Sequence, residues 1–276
     1  MVYLYSIKLN NKTNIPILGL GTWRLFGDET IDVVRKALNM GYSHIDTAEM
    51  YGNEKEIGIA IKDVERDNIF LTSKVWYDHL HYQDVISACK ESLKKLGTDY
   101  LNLYLIHWPT PSIDMKETFQ ALKELYSQGM VKAVGVSNFT IKHLKQTLPF
   151  CQSISLPITV NQVEFHPFLY QESLLNFCRE KHIHLIAHCP LARGLVNENL
   201  IINQIAEKYQ KTPAQIALKW LVQQDIIEIP KASSEKHLRE NMDIFDFELE
   251  NSDMEKIKEE NQNKRMVNNE IAGFDD

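Results

Sequence analysis

Four ionisable side chains stand at or just after the ends of three successive apolar segments: Asp46, Tyr51, Lys74 and His107. A phenol has a pKa of about 10, and a nearby ammonium group lowers that pKa because it favours the phenolate. If Lys74 lies beside Tyr51, the phenol becomes a better proton donor near neutral pH. Asp46 would then hold the lysine, and His107 would orient a substrate carbonyl. The set predicts proton transfer to a carbonyl oxygen.

Each of these residues also has a purely structural explanation. Asp46 can cap the next helix, Tyr51 can pack in a loop, and His107 can be a buried core histidine. Lys74 fits such an explanation poorly, because lysine is rarely buried unless it is paired. The combination on neighbouring strand ends favours chemistry over structure alone.

These side chains must be positioned by a fold in which eight short apolar segments, from IPILGLGT to IIEIP, alternate with longer amphipathic ones. Strands that are apolar on both faces indicate a parallel sheet covered by helices. We therefore predict an α/β fold, a single (β/α)8 TIM barrel that spans residues 1–276 as one domain. The alternative is a doubly wound open sheet, but GLGTWR at 19–24 lacks the third glycine of the dinucleotide fingerprint.

The two ends of the chain predict smaller features. The opening YSIKLNNKTNIPIL alternates around Asn-Asn and predicts an N-terminal β-hairpin that closes the barrel floor. The charged segment after Asp253 predicts a short C-terminal tail on the surface. Gly41, Gly97 and Gly129 follow amphipathic segments and are expected to cap helices.

The composition excludes several classes of protein. The net charge of −7 argues against broad nucleic-acid binding. The four cysteines include no CxxC pair, which is typical of free thiols in a reducing cytosol. There is no signal-peptide pattern, and the longest apolar segments are too short to span a bilayer. We expect a cytoplasmic protein with no nucleic-acid or membrane partner, and no metal site because the HxH pairs at 79–81 and 182–184 lack a third ligand.

A series of motifs carries a family resemblance from about residue 6 to the C-terminus: GLGTW, HIDTAEMYGNE, LTSKVW, LIHWP, GVSNF, NQVEFHP, PLARG and IPKASSEKHLREN. The sequence resembles the aldo-keto reductases, and most of all the short bacterial members that reduce diketogluconate and methylglyoxal. The resemblance implies a catalytic tetrad in which Tyr51 is the general acid. Lys74 and Asp46 would tune it, and His107 would position the carbonyl.

The same resemblance implies a cofactor site for a nicotinamide dinucleotide, whose chemistry is hydride transfer. Ser137, Asn138 and Gln162 match the positions that hold the carboxamide, Lys231 matches a phosphate contact, and Glu240 matches an adenine-side position. The full implied set is Gly21, Thr22, Asp46, Ser137, Asn138, Gln162, His188, Cys189, Leu191, Arg193, Lys231, Ser233, Ser234, His237, Glu240 and Asn241.

An apolar substrate pocket is implied as well, formed around the tetrad. It comprises Trp23, Tyr51, Trp76, His107 and Trp108. Packing at the rim of the barrel is the alternative explanation for the tryptophans.

Two departures from the family pattern affect the cofactor. Where the family usually has a tyrosine that stacks on the nicotinamide, this chain has His188, which offers less stacking area; alternatively, His188 packs elsewhere and hydrogen bonds hold the ring. Ala232 replaces a usual serine, and His237 occupies the position of the arginine that contacts the 2′-phosphate. A neutral histidine binds phosphate less well than a bidentate arginine. We expect NADPH to be preferred but loosely bound, with NADH use allowed by Ala232 and His237.

The leading hypothesis is an NADPH-dependent reductase of small polar aldehydes and ketones, such as methylglyoxal or keto-sugars, that acts as a monomer on small molecules. Two alternatives remain open. Lys74 could form a Schiff base, as in barrel aldolases. The barrel could also bind a nucleotide without catalysing a reaction.

Overall fold

The computed structural model describes residues 5–110 and 113–267. It begins with an antiparallel hairpin of β1 (Ser6–Lys8) and β2 (Asn14–Pro16). Eight further strands form one parallel sheet, in which each strand pairs with the next along the chain. They are β3 (Leu20–Gly21), β4 (His44–Asp46), β5 (Phe70–Val75), β6 (Leu103–Ile106), β7 (Val134–Ser137), β8 (Ile158–Glu164), β9 (His184–His188) and β10 (Ile227–Glu228).

Helices connect the strands and cover the outside of the sheet. They are α1 (Gly27–Asn39), α2 (Glu54–Ile61), α3 (Tyr82–Leu96), α4 (Met115–Ser127), α5 (Ile141–Ser153), α6 (Glu172–Glu180), α7 (Leu200–Tyr209), α8 (Pro213–Val222), α9 (Glu235–Met242) and α10 (Asn251–Glu259).

The last strand pairs with the first, so the sheet closes into a barrel. A parallel bridge joins Leu18 to Glu228, and the Gly19 N–H donates to the Glu228 carbonyl oxygen at 2.8 Å. The backbones come so close that a Cβ at Gly21 would lie 2.5 Å from the carbonyl oxygen of Ile229. Glycine is therefore required at this seam. The predicted (β/α)8 barrel is confirmed.

The glycines predicted to end helices do so. Gly41, Gly97 and Gly129 follow α1, α3 and α4, and all three adopt positive φ angles, which glycine does at little cost. At the start of α8, Thr212 and Gln215 form a reciprocal capping box that satisfies two backbone N–H groups.

The predicted N-terminal hairpin is also confirmed, and it closes one end of the barrel. Leu9 and Ile15 pack in one cluster with side chains from the barrel interior, including Phe70, Leu105 and Val160. All five are 2% exposed or less. Because this end is filled by apolar side chains, polar chemistry is left to the opposite end, where the strands have their carboxyl termini.

Helix α7 was not predicted as a separate element. The structure inserts it between β9 and α8. Its segment, LIINQIAEKY, places buried Ile202, Ile205 and Ala206 on one face. The Asn199 side chain caps it by accepting from the Ile202 N–H at 2.9 Å. The spacing of these apolar residues, three and four apart, is the period of an amphipathic helix and can be read from the sequence.

The charged segment after Asp253 lies at the surface over most of its described part, as predicted, and only Ile257 among residues 254–267 is buried. Asp253 and Ile257 are buried within α10. The Asp253 carboxylate accepts hydrogen bonds from Lys208 Nζ at 2.7 Å and from the Tyr209 hydroxyl at 2.9 Å. A buried charge is tolerated when it is paired in this way. Residues 268–276 of the predicted tail lie outside the described residues.

Acid should destabilise the fold through His44, which is fully buried on β4 with Nε2 3.0 Å from Thr72 Oγ1. Burial lowers the pKa of His44 to about 3, against about 6.5 in an unfolded chain. Below about pH 6.5 His44 is protonated in the unfolded chain but stays neutral in the folded protein. The free energy of unfolding therefore falls by up to about 1.4 kcal/mol per pH unit until the pH nears 3. Urea unfolding from pH 7 to 5 should show a shallower loss for His44→Asn than for wild type.

The exposed His182 supplies the matched control for this measurement. His182→Asn should leave the pH slope close to that of wild type. An unchanged slope in His44→Asn would mean that the buried imidazole is not a source of acid sensitivity.

Candidate active site

Asp46 and Lys74 form a buried ion pair at the carboxyl end of the barrel. Lys74 Nζ lies 2.5 Å from Asp46 Oδ1 and also donates to the backbone oxygen of Thr47 at 2.8 Å. Neither charged side chain is more than 1% exposed. From across the barrel, Gln162 Nε2 donates to Asp46 Oδ2 at 2.8 Å. Both carboxylate oxygens are therefore held.

Tyr51 approaches this ion pair from the loop that follows β4. It ends a short 3-10 helix, and Gly52 terminates that helix in the left-handed conformation. The Tyr51 hydroxyl lies 3.5 Å from Lys74 Nζ. The Tyr51 ring packs edge-on against the His107 ring with centroids 5.6 Å apart. The structure thus brings the four ionisable residues singled out in the sequence into one cluster.

Asn53 fastens the loop that carries Tyr51. Its Nδ2 donates to the backbone oxygens of Thr22 at 2.8 Å and Leu25 at 3.1 Å. Its Oδ1 accepts from the Thr47 hydroxyl at 2.7 Å. All of these bonds are buried, so they hold the position of the phenol without competition from water.

The charge states of the pair and of the phenol follow from their burial. Burial lowers the pKa of Lys74, but attraction to Asp46 and Tyr51 more than offsets it, and the pKa lies above its ordinary value. For Tyr51 the burial effect is larger than the opposing effect of Lys74, so the phenol pKa is raised. The predicted net lowering of the Tyr51 pKa is therefore wrong, although Lys74 acts in the predicted direction.

The two histidines of the site are neutral near pH 7. Burial lowers the pKa of His107 well below its ordinary value, and the charge of Lys74 lowers it further. Burial likewise lowers the pKa of His188 to about 4. Within residues 5–110 and 113–267, His107 Nδ1 has no hydrogen-bond partner. A neutral imidazole in this position can donate a hydrogen bond without adding a second positive charge.

A cavity of about 380 Å³ opens beside this cluster at the carboxyl end of the barrel. Most of the predicted site residues line it. These are Gly21, Thr22, Trp23, Asp46, Tyr51, His107, Trp108, Ser137, Asn138, Gln162, His188, Cys189, Leu191, Arg193 and Lys231.

The other predicted residues lie outside the cavity wall. Lys74 lies behind Asp46 and Tyr51, and the Trp76 ring packs edge-on against His107 at 5.0 Å. The remainder belong to α9 and the segment before it: Ser233, Ser234, His237, Glu240 and Asn241. Ser233, Ser234 and His237 are exposed, and Asn241 is buried.

Asn138 is the centre of a hydrogen-bonded network on the cavity wall. Its Nδ2 donates to the His107 carbonyl oxygen and to Ser137 Oγ, both at 3.0 Å. Ser137 Oγ in turn donates to the Gln162 carbonyl oxygen at 2.9 Å. Because Nδ2 is the donor, Oδ1 faces His188 Nε2 at 3.0 Å. Neutral His188 therefore carries its proton on Nε2 and fixes the orientation of the Asn138 amide.

The cavity also has lining residues that the sequence reasoning missed: Met50, Pro190, Gly194, Ile229, Pro230 and Val267. Most of them are chain neighbours of predicted residues and could have been found from that adjacency. Val267 is different, because it follows α10 and no motif of the sequence points to it.

A family comparison accounts for this arrangement. The model described as the aldo/keto reductase family matches residues 17–262. The chain belongs to the aldo/keto reductase family.

Known relatives agree over nearly the whole chain. It is 42% identical to the glyoxal reductase of Bacillus subtilis, with 95% of this chain and 94% of that protein covered. It is 37% identical to the methylglyoxal reductase DkgA of Escherichia coli, with 94% of each covered. A crystal structure of an aldo-keto reductase from a Medee basin deep-sea metagenome library superposes with a TM-score of 0.92 at 40% identity, covering 95% of this chain and 97% of that one.

The family resemblance drawn from the motifs is thus confirmed, and with it the class of reaction. The protein is an oxidoreductase that acts on carbonyl compounds, and its family uses NAD(P)H. Within the described ranges, no three His, Cys, Asp or Glu side chains are grouped to hold a metal ion. In the same ranges, no helix has the length and apolar character needed to cross a membrane.

Removing only one of the two charges of the Lys74–Asp46 ion pair should strongly destabilise the protein. Asp46→Asn leaves the Lys74 ammonium buried without its counter-charge and should lower the free energy of unfolding by about 3–5 kcal/mol. The double variant Asp46→Asn/Lys74→Met removes both charges and should recover most of that loss. Urea unfolding at pH 7 measures both. If the single variant is as stable as the double variant, the two charges are not energetically coupled.

Proposed function

We propose that this protein uses NADPH to reduce small polar aldehydes and ketones, such as methylglyoxal or keto-sugars, to alcohols, with Tyr51 as the general acid. The observation that carries the proposal is the placement of the Tyr51 hydroxyl, which lines the cavity and lies 3.5 Å from a buried ammonium group. We further infer that residues 1–276 act as one domain, as a monomer, in the cytoplasm.

The residues of the chain divide the chemistry among them. A reduced nicotinamide, when bound, supplies the hydride. Tyr51 holds its proton at neutral pH because the pKa of a phenol is about 10 and burial raises it further, and it gives that proton to the carbonyl oxygen as negative charge develops there. The Lys74 ammonium stabilises the phenolate that remains, and Asp46 keeps the ammonium in place. His107 donates a hydrogen bond that orients the carbonyl oxygen.

The lining of the cavity has the chemistry that a nicotinamide dinucleotide needs. Ser137, Asn138 and Gln162 offer hydroxyl and amide groups on the inner wall for a carboxamide, and their oxygens keep lone pairs beyond those used within the network. Lys231 and Arg193 are exposed at the edge of the cavity and offer positive charge to a diphosphate.

The substrate class is supported by the relatives and by the shape of the site. The relatives named above are a glyoxal reductase and a methylglyoxal reductase, both of which take their names from small dicarbonyl compounds. The proposed proton donor lines a cavity of about 380 Å³ together with Trp23, Met50 and Trp108, and this volume matches the lower end of small-molecule sites.

The Schiff-base alternative is disfavoured by the surroundings of Lys74. Its side chain is 0% exposed and donates to Asp46 and Thr47, so a substrate carbonyl has no access to Nζ. The pKa of Lys74 is raised by Asp46 and Tyr51, and a protonated amine is not a nucleophile. A barrel that only binds nucleotide would bind NADPH without turnover over a panel of carbonyls.

A nicotinamide absorbance assay with methylglyoxal and an aromatic aldehyde, run in parallel with NADPH and NADH, tests the function. Wild type should oxidise NADPH in the presence of either carbonyl. Tyr51→Phe should lose at least about a thousandfold in kcat, because the proton donor is removed, while NADPH affinity stays within about twofold. Wild-type turnover in Tyr51→Phe would exclude Tyr51 as the acid, and no turnover by wild type would favour the binding-only alternative.

Selection of NADPH over NADH should depend on His237. The exposed cations on α9 are partly compensated within the helix, since Arg239 pairs with Glu235 at 2.9 Å and Lys236 lies 3.8 Å from Glu240. His237→Arg adds a bidentate partner for the 2′-phosphate and should tighten NADPH by about tenfold, with less than about twofold change for NADH. Fluorescence titration with each cofactor measures this. If the affinities for NADPH and NADH increased equally, position 237 would not be part of the 2′-phosphate site.

A further inference from the structure

Hydrogen bonds fix the backbone of His107, but its buried ring nitrogen Nδ1 has no hydrogen-bond partner among the described residues. The His107 N–H donates to the Val75 carbonyl oxygen at 3.0 Å, and its own carbonyl oxygen accepts from Asn138 Nδ2 at 3.0 Å. The χ2 torsion of a histidine is broad and roughly two-fold, so a fixed backbone does not fix the ring. The packing around the imidazole therefore decides its orientation.

Aromatic rings from two loops supply that packing. The Trp76 ring meets the imidazole edge-on with centroids 5.0 Å apart, and the Tyr51 ring does so at 5.6 Å. Trp108, the chain neighbour of His107, is stacked on it at 6.5 Å. Edge-to-face contacts at these distances are favourable. Since Tyr51 follows β4 and Trp76 follows β5, the orientation of the imidazole depends on how these two loops are held together.

Glu49 joins the two loops. It is the first residue of the short 3-10 helix that ends at Tyr51. Its Oε1 accepts from the Trp76 N–H and lies 3.2 Å from His79 Nδ1. The side chain is only 13% exposed, and a hydrogen bond to a carboxylate is stronger than one between neutral groups. The contacts thus form a closed ring that runs from Glu49 to Trp76, to His107, to Tyr51 and back along the helix.

We propose that Glu49 is a positioning residue, which fixes the Trp76 loop against the helix that carries Tyr51 and thereby orients the His107 imidazole toward the substrate carbonyl. Glu49 stands outside the described lining of the cavity, so it acts through His107 and not by touching the substrate. The inference rests on the proposed carbonyl reductase function.

Amide hydrogen exchange in the full chain tests the bond that Glu49 makes. In Glu49→Ala the Trp76 N–H loses its acceptor, and its exchange should become about tenfold faster, whereas amides of the barrel strands should not change. Glu49→Gln keeps a side-chain oxygen that can accept the same hydrogen bond, so it should restore most of the protection. This readout requires no turnover.

The kinetic effect should appear in the chemical step and not in cofactor binding. Glu49→Ala should lower kcat/KM for methylglyoxal by about tenfold, mainly through kcat, because a hydrogen-bond donor that is out of place orients the carbonyl less well. Affinity for NADPH should stay within about twofold of wild type. Glu49→Gln should recover kcat/KM to within about threefold of wild type, because the neutral acceptor still holds the loop.

A double-mutant cycle shows whether Glu49 acts through His107. His107→Ala removes the ring that the contacts orient. In that background, adding Glu49→Ala should lower kcat/KM by less than about twofold, because residues that act through one another are not additive.

Glu117 offers a matched control on α4. Its carboxylate has the same kinds of partner as that of Glu49, since it lies 2.7 Å from His81 Nδ1 and accepts from the Tyr82 N–H at 3.3 Å. It also stands outside the described lining of the cavity. Glu117→Ala should therefore leave kcat/KM within about twofold of wild type.

Three results would overturn the proposal. Unchanged exchange of the Trp76 N–H in Glu49→Ala would show that the carboxylate does not hold the loop. A full tenfold loss from Glu49→Ala in the His107→Ala background would show that Glu49 does not act through the imidazole. An equal loss in Glu117→Ala would point to general destabilisation. If wild type reduced no carbonyl, the proposed function would fail, and the exchange of the Trp76 N–H would still decide whether Glu49 holds the loop.

Discussion

The buried pair of Lys74 and Asp46 is the interaction on which the site depends. Removing two charges from water is expensive, and their attraction offsets that cost only when the geometry is good and the remaining hydrogen-bonding groups are satisfied. The barrel meets both conditions. Parallel pairing sets Asp46 opposite Thr72 on β5, which places Lys74 two residues further along the same face. Gln162 on β8 then completes the coordination of the carboxylate.

The single positive charge of Lys74 organises the ionisation of its surroundings. It opposes the rise in the pKa of Tyr51 and contributes to the lowered pKa values of His107 and His188. In a water-excluding interior such effects are weakly screened. The result is a site with one fixed ammonium group, one protonated phenol and neutral imidazoles. The positive charge is located on Lys74, and neutral hydrogen-bond donors surround it.

The sequence was informative wherever local pattern or strand order determines position. Strands apolar on both faces led to the barrel, and the rule that parallel strands end at the same edge led to the cluster of Asp46, Lys74 and His107. The sequence was less informative about how deeply a side chain is buried and about contacts between distant parts of the chain. The Tyr51 pKa depends on how completely the phenol is buried, which chain neighbours do not reveal. The Val267 N–H donates to the Glu164 carboxylate across about 100 residues, and no local signal connects positions so far apart.

The seam of the barrel has a consequence for how the chain is made. The Gly19 N–H finds its acceptor on Glu228, about 210 residues later, and contacts between such distant residues are slow to form. At ribosomal rates of 5–20 residues per second, the first strand of the barrel waits roughly 10–40 s for the last one to be synthesised. Until then the growing sheet has an open edge with unpaired backbone groups, which is a hazard for aggregation. The nascent chain is therefore vulnerable until β10 has been synthesised and has paired with β3.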